Sequence, residues 1–259
     1  NPEHYEDAAA EVIRRMIPTG AIIDAVKMGT TVATNALLER RGTPTVLVVT
    51  KGFQDALRIG YQNRPEIFKL NIKKPEPIYD QVIEAHERLS ATGDVIQPLD
   101  ENGVEMSLRG CFDAGLRSAA ICLVHGYRYP DHEKSIAAIA RQIGFTQISV
   151  SHEVEPLIKF VSRAETTLVD AYLTPVLDRY IKGLRNELIS ISKPRRLLFM
   201  QSNGGLTLAK NFRGKNSVLS GPAAGVVGMV ETASKVGFQR LIGFDMGGTS
   251  TDISAWTGN

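Results

Sequence analysis

Residues 241–254 read LIGFDMGGTSTDIS, and this stretch decides how the rest of the chain is interpreted. Apolar residues run into Asp245, the glycine pair Gly247 and Gly248 follows, and polar and apolar residues then alternate. Glycine permits positive φ and lets another group approach the backbone closely. The pattern therefore predicts a β-hairpin whose tip is nearly all backbone.

The residue types around this tip suit phosphate and metal binding. Exposed backbone N–H groups, with the hydroxyls of Thr249, Ser250 and Thr251, can form a nest for phosphate oxygens. Asp245 is placed to hold a divalent ion, directly or through its water, because hard cations prefer oxygen ligands. Asp252, across the hairpin, can orient an attacking water or the same ion's shell. The alternative is a plain glycine turn in which Asp245 is only a turn former.

Composition sets the class of protein. The 259 residues include 43% apolar and 22% charged residues, and 30 basic against 28 acidic side chains give a net charge of +2. These values are ordinary for a globular α/β protein and favour no nucleic-acid partner. No apolar run has the length needed to span a membrane, and the acidic start is unlike a secretory signal. Cys111 and Cys122 form no CxxC pair, so we expect buried thiols in a cytoplasmic protein.

Strand and helix patterns alternate along the chain. Short, β-branched or apolar runs between turn residues predict the buried strands TVLVVT (45–50), SAAICLV (118–124), QISVS (147–151) and RLLFM (196–200). Helical patterns lie between them, and such alternation implies an α/β fold with a mixed, largely parallel sheet covered on both faces.

Several local features add to this outline. Asp100 is expected to cap a helix over 101–115, and Pro175 to kink the long helix over 165–190. The runs QVIEAHERL and DVIQPL, separated by SATG, predict a hairpin. Residues 60–77 carry three prolines and are expected to be irregular.

The segment before the hairpin, SVLSGPAAGVVGMVETASKVGFQR (217–240), resembles the actin-like ATPase superfamily. There, a Pro-Ala-Ala helix crosses between two lobes and leads to the second phosphate hairpin. The resemblance implies a first ribonuclease-H-like lobe over residues 1–237 and the start of a second similar lobe over 238–259, with Gly221 among the nucleotide-binding residues. The first phosphate hairpin and the adenosine pocket are then expected outside these residues, so the chain is expected to be a fragment of a longer protein.

Further motifs narrow the resemblance. The stretches MGTTVATNALLERRGTP, IGYQNRP, HGYRYPDHE, VDAYLTPVLDRY, LLFMQSNGGL, LSGPAAGVVGM and GFDMGGTSTD together resemble the hydantoinase A/5-oxoprolinase family, most of all its 5-oxoprolinase branch. Only 11 residues separate Met16 from Met28, where the family leads us to expect a longer connection, so some chain is expected to be absent there.

The resemblance implies ATP-driven ring opening of a small cyclic amide. An amide in a small ring is a poor electrophile, and phosphorylating its oxygen with ATP lets water attack it. The expected reaction converts 5-oxoproline to glutamate, or a hydantoin to an N-carbamoyl amino acid, with Mg²⁺ neutralising the phosphates. A B-type hydantoinase subunit or fused domain is the expected partner, and the assembly is expected to be oligomeric. The fragment alone is expected to be inactive. An ATP-dependent acetone-type carboxylase and a non-enzymatic nucleotide switch are the alternatives.

Other polar residues follow predicted strands and are candidates for binding substrate or anions. Thr30 and Thr31 precede a helix, where their hydroxyls either cap that helix or bind an anion, and the resemblance adds Asn35. Ser202 and Asn203 follow a strand and form either a structural turn or a cleft-lining loop.

Charged and histidine side chains supply further candidates. Arg163 is at a strand-to-helix junction, where it either meets a carboxylate or phosphate or forms a surface ion pair. His125 and His132 have no standard metal-binding spacing and are expected to cap or pack. The basic patch around Lys69, Lys73 and Lys74 is expected to be solvated surface, with a contact to a partner subunit as the alternative.

Overall fold

The computed structural model describes residues 8–18, 21–61, 66, 68–72, 74–191, 194–246 and 251–258. The chain divides into two compact units, a central unit of Arg40–Pro175 and a terminal unit of Asn1–Glu39 with Val176–Asn259. The lobe boundary between residues 237 and 238 is a different kind of division, implied by the resemblance, and it stays a prediction.

Helices and strands alternate as the sequence predicts. The helices of the described residues are α1 (Ala8–Met16), α2 (Val32–Leu38), α3 (Ala56–Ile59), α4 (Glu101–Asp113), α5 (Asp131–Ile143), α6 (Ser151–Val154), α7 (Phe160–Ile191) and α8 (Ser220–Ser234). The strands are β1 (Ala25–Met28), β2 (Thr45–Thr50), β3 (Gln81–Ala85), β4 (Arg88–Leu89), β5 (Val95–Gln97), β6 (Ser118–Cys122), β7 (Gln147–Val150), β8 (Arg196–Met200), β9 (Leu206–Leu208), β10 (Leu241–Met246) and β11 (Thr251–Trp256). No helix within the described ranges is long and apolar enough to cross a membrane.

The central unit is built on a parallel sheet with strand order β3-β2-β6-β7. Both β2 and β6 are buried along their whole length, as expected for β-branched and small apolar residues in a sheet covered on both sides. Alternate residues of these strands join two separate clusters. One contains residues of α4 and α5, and the other contains Leu168 and Ala171 of α7. The predicted two-sided cover is confirmed.

One predicted pairing is confirmed only in part. QVIEA forms β3 and pairs in parallel with β2, while the hairpin joins only β4 to β5. Ile83 and Ala85 are buried against the sheet, so this segment gains more from covering β2 than from a hairpin. The turn signal SATG was correct, but a short apolar run does not indicate which strand it will pair with.

The helix ends follow the expected chemistry. The carboxylate of Asp100 accepts a hydrogen bond from the backbone N–H of Gly103 at 3.0 Å and caps α4. Gly144 closes α5 with a φ of 112°, a conformation that favours glycine. Helix α7 begins earlier than predicted and continues through Pro175, which is the last residue of the central unit.

The terminal unit contains a sheet of order β1-β8-β9, in which β1 and β8 are parallel and β9 is antiparallel to β8. Strand β9 was not predicted because its three residues are too short to show a period. Strands β10 and β11 form the predicted antiparallel hairpin, with Leu241 opposite Trp256 and Met246 opposite Thr251. The fold is α/β with a largely parallel main sheet, as predicted.

Candidate nucleotide-phosphate site

The hairpin places its two carboxylates directly opposite each other. Asp245 of β10 is the cross-strand partner of Asp252 of β11, and both are exposed. Residues directly opposite in an antiparallel pair point to the same face, with Cβ atoms about 4.5–5.5 Å apart. Neither carboxylate is ion-paired within the described part of the chain. This face therefore presents two oxygen ligands of the kind a hard divalent cation prefers.

The tip itself is only partly described. Thr251 begins β11, is exposed, and lies opposite Met246. The predicted phosphate-binding residues Gly247, Gly248, Thr249 and Ser250 lie outside the described residues, so their role stays a prediction.

Helix α8 lies against the hairpin through glycines. A Cβ atom at Gly225 would be 3.3 Å from Oδ2 of Asp245, and one at Gly243 would be 2.7 Å from Sδ of Met229. Both distances are tighter than ordinary van der Waals contact, so a larger side chain at either position would require the Asp245 or Met229 side chain to move. The small residues of SGPAAG thus let the helix backbone approach a predicted metal ligand.

The first turn of α8 also contacts the loop after β1. A Cβ atom at Gly221 would be 2.6 Å from Cγ2 of Thr31, and the hydroxyl of Ser220 donates to the backbone oxygen of Thr30 at 2.8 Å. Three predicted candidates, Thr30, Thr31 and Gly221, are therefore neighbours at the helix N-terminus, where N–H groups and the helix dipole favour an anion.

The two threonines differ in availability. Thr30 is 7% exposed, and its hydroxyl accepts a hydrogen bond from the backbone N–H of Val32 at 3.2 Å. Thr31 is exposed and makes no side-chain capping bond, although it is the N-cap residue of α2. Asn35 lies one turn into α2 and is half-buried. The capping alternative thus applies to Thr30, whereas Thr31 is exposed and makes no side-chain capping bond.

Ser202 and Asn203 are in the turn between β8 and β9. Ser202 donates through its backbone N–H and its hydroxyl to the backbone oxygen of Asn216, at 2.8 and 2.9 Å. The side-chain oxygen of Asn203 accepts from the N–H of Gly205 at 2.9 Å. These bonds are those of a structural turn that also holds the chain before α8.

Arg163 is not on the surface, so the predicted surface ion pair is wrong. The side chain is fully buried, and its Nε donates to Oγ of Ser151 at 3.0 Å. Its terminal nitrogens donate to the backbone oxygens of Leu157, Ile158, Leu123 and Val124. An arginine has five N–H donors, and all of them have acceptors here. The strand-to-helix junction buries Arg163 because it supplies the carbonyl groups that satisfy the guanidinium.

Two buried carboxylates lie at the same edge of the central sheet, and sequence reasoning missed both. Glu133 accepts from the N–H of Leu123 at 2.8 Å and from Ser151 Oγ at 2.6 Å, and its other oxygen is 2.6 Å from Nδ1 of His152. Because Ser151 also contacts Arg163, the carboxylate and the guanidinium belong to one network.

Glu87 forms the second part of this edge. One of its oxygens accepts from the hydroxyl of Thr50, and the other is 2.8 Å from Nδ1 of His132. Thr50 in turn accepts from the N–H of Val124 at 3.0 Å. We call this set the buried polar edge; it consists of Thr50, Glu87, His132, Glu133, Ser151, His152 and Arg163. The available signal was the charged run in HGYRYPDHE directly after a buried strand.

The remaining candidates for chemistry are inert or absent. Cys111 and Cys122 are buried and free, as predicted, and burial raises the pKa of the Cys122 thiol to about 12. Within the described ranges, His, Cys, Asp and Glu side chains form no group of three or more able to hold a metal ion. The hairpin pair would therefore need oxygen ligands from elsewhere, such as phosphate or water, to complete a cation's shell.

Two regions of the chain match one family of known proteins. Residues 4–144 match the family described as the hydantoinase/oxoprolinase N-terminal region, and residues 163–259 match the family described as hydantoinase/oxoprolinase. The 5-oxoprolinase of Saccharomyces cerevisiae is 41% identical over 297 residues, which cover 99% of this chain and 23% of that protein. The chain thus spans about a quarter of the length of this relative.

Solved structures share the fold. The ATP-dependent caprolactamase from Pseudomonas jessenii has a TM-score of 0.77 and 28% identity, covering 98% of this chain and 37% of that one. The nucleotide-free structure of acetone carboxylase also has a TM-score of 0.77, with 22% identity, covering 90% of this chain and 35% of that one. The fold is that of the actin-like, ribonuclease-H-like ATPases, as the sequence resemblance implied. The matches to both family regions, which together cover most of the sequence, show that this chain belongs to the hydantoinase/oxoprolinase family.

Proposed function

We propose that the chain is part of an ATP-dependent hydrolase that opens a small cyclic amide, with 5-oxoproline as the substrate and glutamate as the product. A hydantoin, opened to an N-carbamoyl amino acid, is the other substrate of this class. The identity of 41% to a 5-oxoprolinase over nearly the whole chain supports the choice of substrate. The observation that carries the chemistry is the opposed pair Asp245 and Asp252 beside the glycine-rich start of α8.

The residues present fit a nucleotide bound with Mg²⁺. Asp245 and Asp252 would hold the metal ion, directly or through water, because both are exposed carboxylates on one face. Asp252 would also orient the attacking water. Gly221, Thr251 and the hairpin tip would bind phosphate oxygens through N–H and hydroxyl groups. When bound, ATP supplies the phosphoryl group that activates the amide oxygen.

The rest of the catalytic machinery is proposed to lie in a longer assembly. The chain covers 23% of the yeast relative, so most of such a protein is additional sequence. We expect a B-type hydantoinase subunit or fused domain to complete ring opening, in an oligomeric cytoplasmic enzyme. Alone, this chain is expected to turn over no ATP.

Substrate-stimulated ADP release tests the proposal. The complete protein with its B-type partner would be assayed with ATP and Mg²⁺ while 5-oxoproline, hydantoin, N-methylhydantoin, or acetone with bicarbonate is offered. We expect stimulation by 5-oxoproline and its loss in Asp245→Ala. Stimulation by none of these compounds would refute the substrate assignment and leave the fold unaffected.

A carboxylase is the second candidate, favoured by the structural likeness to acetone carboxylase. It predicts that ADP release requires a ketone together with bicarbonate and is indifferent to 5-oxoproline. A nucleotide switch, the third interpretation, predicts ATP turnover that no small molecule stimulates.

A further inference from the structure

A cavity of about 320 Å³ lies within the central unit, apart from the residues assigned above. Its walls are residues 57–61 and 74–78, and its third side is the part of α7 that carries Glu165, Leu168 and Val169. The volume is at the lower end of the range of about 300–1,000 Å³ that ligand pockets occupy. A small molecule rather than a nucleotide fits this size.

The cavity rests on the core. Leu57 and Ile78 pack against the second hydrophobic cluster, which includes the buried Leu168. An apolar floor of this kind suits the carbon skeleton of a small ring or short chain.

Polar contacts hold the walls in place without a ligand. Arg40 donates to the backbone oxygens of Glu76 and Pro77 at 2.6 and 3.3 Å. The hydroxyl of Tyr61 is 2.6 Å from Oγ of Ser162 at the start of α7. The pocket is therefore pre-formed, which reduces the ordering cost of binding.

Two charged groups at the cavity have no partner of opposite charge. Glu165 has no hydrogen-bond or ion-pair partner among the described residues, and partial burial raises the pKa of its carboxyl. Lys74 donates through Nζ to the backbone oxygen of Ile59, a neutral group, and forms no ion pair in the described part of the chain. Arg58, by contrast, is paired with Glu76 at 3.3 Å. The lining thus includes two exposed groups without an ion-pair partner among the described residues, the carboxylate of Glu165 and the ammonium group of Lys74.

We infer that this cavity binds small carboxylates that also carry an N–H donor, with the carboxylate at Lys74 and the N–H at Glu165. A cyclic amide bearing a carboxylate, such as 5-oxoproline, has both groups on an apolar ring, and the choice of this ligand rests on the proposed function. The cavity is formed by residues other than those assigned to the nucleotide, so binding and substrate-stimulated ADP release both test it.

Calorimetry on the complete protein without ATP tests the inference, with 5-oxoproline as the probe and 2-pyrrolidinone, the same ring without a carboxylate, as its partner. Removing a charged hydrogen-bond partner is expected to weaken binding about tenfold or more. Lys74→Met should therefore weaken the binding of 5-oxoproline but not that of 2-pyrrolidinone, because only 5-oxoproline has a carboxylate. Glu165→Gln should weaken the binding of both compounds. Val169→Phe should abolish binding of both by filling the cavity.

Glu105→Gln is the matched control, because Glu105 is an exposed carboxylate on α4 in the same unit. It should leave both affinities unchanged, and thermal unfolding should show that every variant is folded. Failure of 5-oxoproline to bind, or binding that Val169→Phe and Glu165→Gln leave unaltered, overturns the inference. Substrate-stimulated ADP release that ignores these variants would overturn it while the proposed function stands. Pocket-dependent binding without stimulated ADP release would support the cavity and refute the proposed function.

Discussion

The buried polar edge of the central unit and the β10–β11 hairpin of the terminal unit each carry two carboxylates, which are buried in the first region and exposed in the second. Glu133 and Glu87 are 0% and 4% exposed, and each of their oxygens has a donor or imidazole nitrogen within hydrogen-bond distance. Asp245 and Asp252 are exposed and have no ion-pair partner in the described residues. A buried charge is tolerated only when its partners are present, whereas an exposed carboxylate stays available to a ligand. The first two carboxylates are therefore held by the fold, whereas the second two stay accessible to the ligand that we propose for them.

The largest effect is expected from removing Arg163 at the buried polar edge. Arg163→Met should lower the free energy of unfolding by about 3–5 kcal/mol, because the change strands buried carbonyl groups and removes the donor to Ser151, which itself contacts Glu133. Urea unfolding at neutral pH, followed by circular dichroism, measures this loss.

Arg109→Met is the control, since Arg109 pairs with Glu105 at 2.6 Å on the exposed side of α4. An exposed pair of this kind is worth about 0.5 kcal/mol or less. Similar losses for Arg109→Met and Arg163→Met would show that the buried polar edge does not stabilise the central unit.

A double-mutant cycle tests whether the two hairpin carboxylates, Asp245 and Asp252, bind one cation. Asp245→Asn and Asp252→Asn, each in the complete protein, should lower ADP release about 100-fold, while stability changes by no more than about 0.5 kcal/mol. If both carboxylates serve one cation, the double variant should be little worse than either single variant, because groups that act as a unit are non-additive.

Glu231→Gln, at an exposed carboxylate on α8, should leave ADP release unchanged. Multiplied losses in the double variant, to about 10⁴-fold, would assign the two aspartates to separate roles.

The fold could be predicted where local chemistry leaves one solution. TVLVVT is short, rich in β-branched residues and bounded by turns, so it predicts a strand. Asp100 precedes a helical pattern, and its carboxylate can accept a hydrogen bond from an N–H group at the helix N-terminus. The partner of QVIEA could not be predicted, because strand pairing depends on burial of Ile83 and Ala85 by residues far away in sequence. The sequence pattern therefore predicts the type of an element more readily than the element against which it packs.

The candidate site divides in the same way. The hairpin register that opposes Asp245 and Asp252 follows from alternation around a glycine tip, so the sequence contains it. The burial of Arg163 is not in the sequence, because arginine is ordinarily exposed and only the carbonyl groups after β6 and before α7 make its burial tolerable. Likewise, Glu165 faces a cavity whose walls come from separate segments.

The smallest effect is expected on the apolar side of the hairpin. Phe244 is 68% exposed and lies opposite Ile253, which is 67% exposed. Phe244→Ala in the 259-residue chain should therefore change the free energy of unfolding by no more than about 0.5 kcal/mol. Phe199, fully buried and stacked on Phe212 at 5.0 Å, is the matched control within the terminal unit, and its change to alanine should cost about 3–5 kcal/mol.

Urea unfolding of the two phenylalanine variants at several protein concentrations shows whether the Phe244 ring is exposed or covered in solution. A loss above about 1.5 kcal/mol for Phe244→Ala would mean that the ring is covered in solution. If that loss grew with protein concentration, a second copy of the chain would provide the cover, because association stabilises the folded state by mass action. A small loss at every concentration would keep the hairpin as the exposed counterpart of the buried polar edge, with its carboxylates open to a ligand on one face and its apolar residues open on the other.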